Sequence, residues 1–364
     1  MLKAFKGVMA GFWKGLVLPS MTSTLVAIFV PIAILMVAIA VGDGLIRSRY
    51  HLYVFSDPFD IYAKVGHEVL SRQQDERPGV VVLGDSLMVY CIDEEILGAS
   101  LENASETHDI QGLLFATPNQ STYEMAAIVD QANLAPGSVV LIGLSQGLFV
   151  KPTGTKPESI LTQILENPRL PFQSVVLDEE ARLAGAHPPF RTGMHAIDNS
   201  GFYIARKTAL VKHVVLGAEP YGDPLTAHWL PFVDNPEFHA EEREQVGDTL
   251  KFYLENSEEN FAILARMIER ERARRGTRFV IVQAPINPGW SDVAEGAALF
   301  DRFVSDAAAF SRQVGAPYLQ VSAGQSWESA DFFDYEGHLK SPSARTSCSE
   351  TVASAALARL EAPS

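Results

Sequence analysis

The sequence predicts a three-layer α/β domain, a parallel sheet with helices on both faces, tethered behind an N-terminal transmembrane helix. Short apolar runs rich in Val, Ile and Leu recur at residues 80–83, 110–115, 138–142, 278–283 and 317–321. Helix-like stretches at 122–133, 260–275, 297–314 and 350–360 lie between and after them. Strands that alternate with helices form a parallel sheet buried on both sides. Ahead of this pattern, residues 25–41 run without a charge.

Composition narrows the function classes. With 364 residues, 47% hydrophobic and only 20% charged, the chain can bury a large core and is not intrinsically disordered. A net charge of -15 opposes binding to phosphate backbones, so no nucleic-acid partner is expected. Two cysteines, Cys91 and Cys348, are too few for a disulfide scaffold and lack zinc spacing. His187, His195, His213, His228 and His239 also lack metal-ligand spacing, so neither a metal nor a cofactor is expected.

Taken in order, residues 1–20 place Lys3, Lys6 and Lys14 on one side of a helix and Phe5, Met9, Phe12, Trp13 and Leu16 on the other. This reads as an amphipathic helix on the cytoplasmic membrane face, or as a frayed start, since Gly7, Gly11 and Gly15 weaken it. Residues 21–45 hold the anchor, whose apolar stretch just suffices to cross a bilayer. Pro31 is tolerated in a membrane helix. Ala38-Ile39-Ala40 resembles a signal-peptidase site, but the run is longer than a usual signal core, which favours a retained single-pass anchor.

The early lysines put the N-terminus inside, partly offset by Arg47 and Arg49. The expectation is a protein of the cytoplasmic (inner) membrane with its C-terminal domain periplasmic or extracellular. Residues 46–78 form a neck and 79–364 the domain. A stretch rich in Pro, Gly and aromatics at 151–245 interrupts it, an insertion that serves as lid, substrate groove or padding.

In open sheets of this kind ligands sit outside the carboxyl ends of the strands. That rule selects Ser86, the loop after Phe115, residues 143–147 and 285–290, and the segment after Val321. Gly84-Asp85-Ser86 directly follows the first apolar run, where a serine hydroxyl stands exposed beside the backbone N–H groups of a helix start. The bland alternative is a serine that caps the helix. A serine nucleophile needs a base, and His338 follows an acid-rich turn containing Asp331, Asp334 and Glu336, just before the last helix.

The strand followed by Gly-Asp-Ser, and the Asp and His-Leu before the final helix, resemble blocks one and five of the SGNH/GDSL hydrolase superfamily. Within it, the anchor and residues 279–290, FVIVQAPINPGW, resemble the group that includes the lipoteichoic acid D-alanylation and alginate O-acetylation proteins. The resemblance implies a flavodoxin-like parallel sheet, with Ser86 as nucleophile, His338 as base and Asp334 as its carboxylate partner. The family's usual Asp-x-x-His places the acid three residues before the histidine. Tyr335 stands there in this chain, so Asp334, Glu336 or Asp331 fills the role. The second-block Gly falls near residues 117–121, and the third-block Asn is replaced by Ser145 or Gln146. The oxyanion hole is thus altered, using the side chains of Asn119 or Gln146. Asn287 either contacts substrate or holds a turn.

The resemblance implies O-acyl transfer, acetyl above all, to an exported or cell-envelope polysaccharide. A polytopic membrane-bound O-acyltransferase partner would deliver the acyl group, with the lipid bilayer as platform. Two alternatives stay open: an esterase or polysaccharide deacetylase, and a degenerate scaffold subunit that kept the fold and lost the chemistry. In a flavodoxin-like order the helices bearing Cys91 and Cys348 share a face, so they form either a disulfide or two inert thiols.

Overall fold

The computed structural model describes residues 29–34, 36–37, 61–71, 77–104, 110–150, 169–202 and 236–362, a few positions within the last two stretches aside. The expected helix at 1–20, most of the span at 21–45 and the neck up to residue 60 lie outside the described residues. Within the span, 29–34 and 36–37 are helical, and Phe29, Val30, Ile32, Ile34, Met36 and Val37 are exposed. Among the described residues no helix is long and apolar enough to cross a membrane.

The five apolar runs are the five strands β1 (Gly79–Leu83), β2 (Gln111–Leu114), β3 (Val139–Leu144), β4 (Arg278–Gln283) and β5 (Tyr318–Gln320). They pair in parallel in the order β2-β1-β3-β4-β5, which is compatible with a flavodoxin-like doubly wound sheet. Side chains alternate between faces along a strand. Val81, Leu83, Val140, Ile142, Phe279 and Ile281 therefore enter one core, and Val80, Val82, Val139, Leu141, Val280 and Val282 the other.

The first core is covered by α1 (Ile61–Ser71), α4 (Thr122–Ala132), α5 (Gln146–Val150), α6 (Val175–Leu183), α7 (Pro236–Arg275) and α8 (Ala294–Val314). The second is covered by α2 (Ser86–Cys91), α3 (Glu94–Ala104) and α9 (Pro342–Glu361). Each buried Val, Leu or Ile contributes about 1.5–3 kcal/mol, and two cores filled from a shared sheet hold the strand ends in fixed register.

Several helices differ from the sequence expectation, α3, α7 and α9 among them. α3 was not expected, because Gly98 and the polar residues around it dilute the pattern; Leu97 and Leu101, four apart, suffice to dock it in the second core. α7 begins at Pro236 rather than 260, inside the stretch assigned to the insertion. α9 begins at Pro342 rather than 350. Ser341 caps it by accepting from the Ala344 N–H, Pro342 suits a first turn, and its hydroxyls return to the helix: Thr346 Oγ1 donates to the Pro342 carbonyl and Ser347 Oγ to that of Ala344.

Candidate active site

The serine is presented by a strand, a one-residue cap and a helix. β1 ends at Leu83, and Asp85 caps α2 by accepting from the Leu87 N–H at 3.0 Å. The capping role is therefore taken by Asp85, which leaves the Ser86 hydroxyl for other work. Ser86 Oγ lies 2.7 Å from His338 Nε2. The α2 N–H groups of Met88 and Val89 both donate to the Asp85 carbonyl. Among the described residues the Ser86 N–H itself has no partner, so it is available to an oxyanion at the serine.

The histidine is held by a small loop. Phe332 and Leu339 form an antiparallel bridge and the Phe333 N–H donates to the His338 carbonyl at 2.9 Å, which closes residues 332–339 into a hairpin. Gly337 turns inside it at φ 116°, a conformation that side chains rarely adopt. This tight turn reconciles the four-residue spacing with the expected pairing. Asp334 Oδ2 sits 2.5 Å from His338 Nδ1, and Asp334 Oδ1 accepts from the Gly337 and His338 N–H groups at 3.0 and 3.1 Å. Asp331 instead accepts from the Glu328 N–H, and Glu336 is exposed beside the loop.

Three side chains in series thus connect Asp334, His338 and Ser86. His338 is 5% and Asp334 2% exposed. Burial disfavours the imidazolium, but Asp334, by charge and hydrogen bond, and then Glu336 and Asp85 outweigh it, so the ring holds its proton above the ordinary histidine range. The ring also takes an edge contact from Tyr90 of α2, with centroids 4.9 Å apart. With Nδ1–H bonded to Asp334, Nε2 faces Ser86 as an acceptor, the tautomer a general base requires.

Of the residues proposed for oxyanion or substrate contact, two are scaffold. Ser145 is buried and its hydroxyl donates to Asp85 Oδ2 while accepting from the Leu148 N–H, so it ties the β3 end to the nucleophile turn. Asn287 is fully buried. Its amide donates to the Asp334 carbonyl at 2.8 Å, and its oxygen accepts from the Gly289 N–H and the Ser329 hydroxyl. Asn287 therefore props the base loop.

Gln146 bridges toward the same loop, Nε2 donating to the Glu336 carbonyl at 3.4 Å. Asn119 is exposed at φ 57°, the left-handed conformation that glycine adopts freely and asparagine more readily than most residues. Its turn abuts the nucleophile: the Thr117 N–H donates to the Gly84 carbonyl, and the Gly84 N–H donates to Gln120 Oε1. Gln120 had no sequence signal, since only the neighbouring strands bring it to Gly84.

The last helix grips the far end of α2. Arg345 donates to the Tyr90 and Ile92 carbonyls, Ser349 Oγ donates to the Cys91 carbonyl and accepts from the Asp93 N–H, and Cys91 is disulfide-bonded to Cys348. Cys348 lies within α9, on the face turned to α2. The structure thus decides between the disulfide and the two inert thiols in favour of the bridge.

Among the described residues no group of three or more His, Cys, Asp and Glu is placed to hold a metal. No protein-family model and no curated protein matches the chain. The geometry itself is that of an activated nucleophile: a serine hydroxyl, a base within hydrogen-bond reach and a carboxylate that orients the base.

Proposed function

We propose that the chain is a serine-dependent O-acyltransferase acting outside the cytoplasmic membrane on an exported or cell-envelope polysaccharide, served by a polytopic O-acyltransferase that delivers the acyl group. The observation that carries the reading is the series Asp334, His338, Ser86, at 2.5 and 2.7 Å. Ser86 Oγ attacks the acyl carbonyl of the donor and its proton passes to His338 Nε2. The leaving group takes that proton as the tetrahedral adduct collapses to an acyl-serine ester. A sugar hydroxyl then attacks the ester, giving its proton to Nε2, and Ser86 recovers it as the product ester departs.

Two observations support the location. The Cys91–Cys348 disulfide suits an oxidising compartment. The exposed apolar helical residues from Phe29 to Val37 suit a lipid surrounding. A specific observation also favours the rival scaffold reading, because Ser145 and Asn287 are spent on the frame and leave fewer donors for an oxyanion.

The test is turnover of p-nitrophenyl acetate by the purified chain with and without acceptor oligosaccharides. The transferase reading predicts a burst, slow steady turnover, acceleration by the oligosaccharide and an acetylated glycan. A burst without acceleration points to an esterase, and no burst in a folded protein, indistinguishable from Ser86→Ala, points to a scaffold.

A further inference from the structure

We propose that Arg169 and Tyr62 are positioning residues that set the turn at residues 117–120 beside the catalytic serine, so that the neck helix and the first part of the insertion jointly govern acylation. The proposal rests on the reading that Ser86 forms an acyl-enzyme. The turn is closed by the Gln120 N–H donating to the Thr117 carbonyl at 3.0 Å. From inside it is bound to Gly84, two residues before Ser86, through Thr117 and Gln120 at 3.0 Å each.

From outside, two side chains converge on its carbonyls. The Tyr62 hydroxyl of α1 donates to the Pro118 carbonyl at 2.5 Å, Arg169 Nη1 donates to the same oxygen at 3.3 Å, and Arg169 Nη2 donates to the Asn119 carbonyl at 2.7 Å. The guanidinium lies over the Tyr62 ring, 5.4 Å from its centre. It is itself fixed by Glu124, whose carboxylate accepts from Arg169 Nε at 2.8 Å and from Nη2, and is 3% exposed. Glu124 also completes the capping box of α4 with Ser121, so the helix start is satisfied without the arginine's bonds to the turn.

In a planar trans peptide the C=O and N–H point in opposite directions. Holding the Asn119 carbonyl outward therefore turns the Gln120 N–H inward, onto the Thr117 carbonyl, and so keeps closed the turn that grips Gly84. A shift of the turn is passed through Thr117 and Gln120 to Gly84 and so to Ser86, where a misplacement of about 1 Å costs on the order of a hundredfold in rate. The two outer supports are also locked to each other: a Cβ on Gly66 of α1 would lie 2.1 Å from Pro171 Cδ, so the neck helix and the segment after Arg169 pack with no room for a side chain. The segment that follows the expected anchor is thereby built into the wall of the site.

The test measures p-nitrophenyl acetate burst kinetics of the full chain in detergent for wild type, Tyr62→Phe and Arg169→Lys. Tyr62→Phe leaves the buried Glu124–Arg169 pair intact, and Arg169→Lys keeps the charge but loses the fork. The acylation rate constant is expected to fall about tenfold in the first and about thirtyfold to a hundredfold in the second, with KM within about threefold and the acid limb of the pH profile unmoved. Folded variants that acylate at the wild-type rate overturn the proposal, as does a loss carried by KM or by a displaced acid limb. A wild type that forms no acyl-enzyme overturns the functional reading, and this proposal with it.

Discussion

Replacing Gly337 by alanine perturbs the base loop at one atom. The loop crosses Pro285 and Ile286 so closely that a Cβ at 337 would stand 2.4 Å from the Pro285 carbonyl oxygen, 3.0 Å from its carbon and 3.2 Å from Ile286 Cα. All three are backbone atoms, so no side-chain rotation relieves the contact. The residue also has φ 116°, which costs an L side chain about 1–3 kcal/mol, and overpacking adds about 1–3 kcal/mol. The expected loss of stability is about 2–6 kcal/mol, seen as a fall in Tm on the order of 4–24 °C for a domain of this size.

Function should suffer further. Opening the contact to 3.0–3.4 Å moves the loop by roughly 0.6–1 Å, and a misplacement of about 1 Å costs on the order of a hundredfold in rate. The moving residue is bonded to Asp334 and adjoins His338. Thermal melts and p-nitrophenyl acetate burst rates of Gly337→Ala check both parts. A variant that melts with wild type and acylates at its rate would refute the reasoning.

The remaining predictions concern protonation, the disulfide and the prop behind the loop. Because His338 holds its proton above the ordinary value of 6.5, the base is neutral only above that raised pKa, and kcat/KM should climb with pH through a limb above 6.5. Glu336→Gln removes one of the charges that raise it and should move the limb down; a limb that stays or rises contradicts the electrostatic account. By linkage the raised pKa also stabilises the fold below pH about 6.5, a contribution lost as pH rises through the folded-state value, so wild type should lose more Tm across that interval than His338→Gln. Removing the disulfide, by Cys91→Ser with Cys348→Ser, frees a loop closed across 257 residues and should cost about 2–5 kcal/mol by chemical denaturation; an unchanged midpoint counts against it. Asn287→Ala leaves the Asp334 carbonyl, the Gly289 N–H and the Ser329 hydroxyl without their partner, at about 1–3 kcal/mol for each left buried and unsatisfied, and should lower kcat while KM holds. A change confined to KM would make Asn287 a substrate contact after all.

Much of the sheet could be read from local pattern, because a strand buried on both faces is a run of apolar residues with little else to confuse it. β4 falls at residues 278–283, as expected, and the other strands differ at their ends by a few residues. Ser86 and His338 could be found because both follow a sheet position rule and each sits in a recognisable local sequence. The choice of Asp334 over Glu336 and Asp331 needed the hairpin, since only the turn at Gly337 folds a four-residue spacing into a 2.5 Å contact. The bonds that Ser145 and Asn287 make within the frame could not be read for a related reason. Each lies at a strand end, where the position rule points to chemistry, but their partners Asp85 and Asp334 are 60 and 47 residues away and consume their polar atoms. Arg169 and Tyr62 carried no local signal, since their shared target, the turn after β2, is distant in sequence from both.

The central claim is that Ser86 is a nucleophile activated by His338 and oriented through Asp334. Labelling of the purified chain with a fluorophosphonate, followed by peptide mass mapping, tests it without any assumption about donor or acceptor. The account predicts a single adduct on Ser86, none in Ser86→Ala, and labelling slowed by on the order of a thousandfold or more in His338→Ala and Asp334→Asn. A folded wild-type chain that leaves Ser86 unlabelled, or labels it as fast without His338, would contradict it.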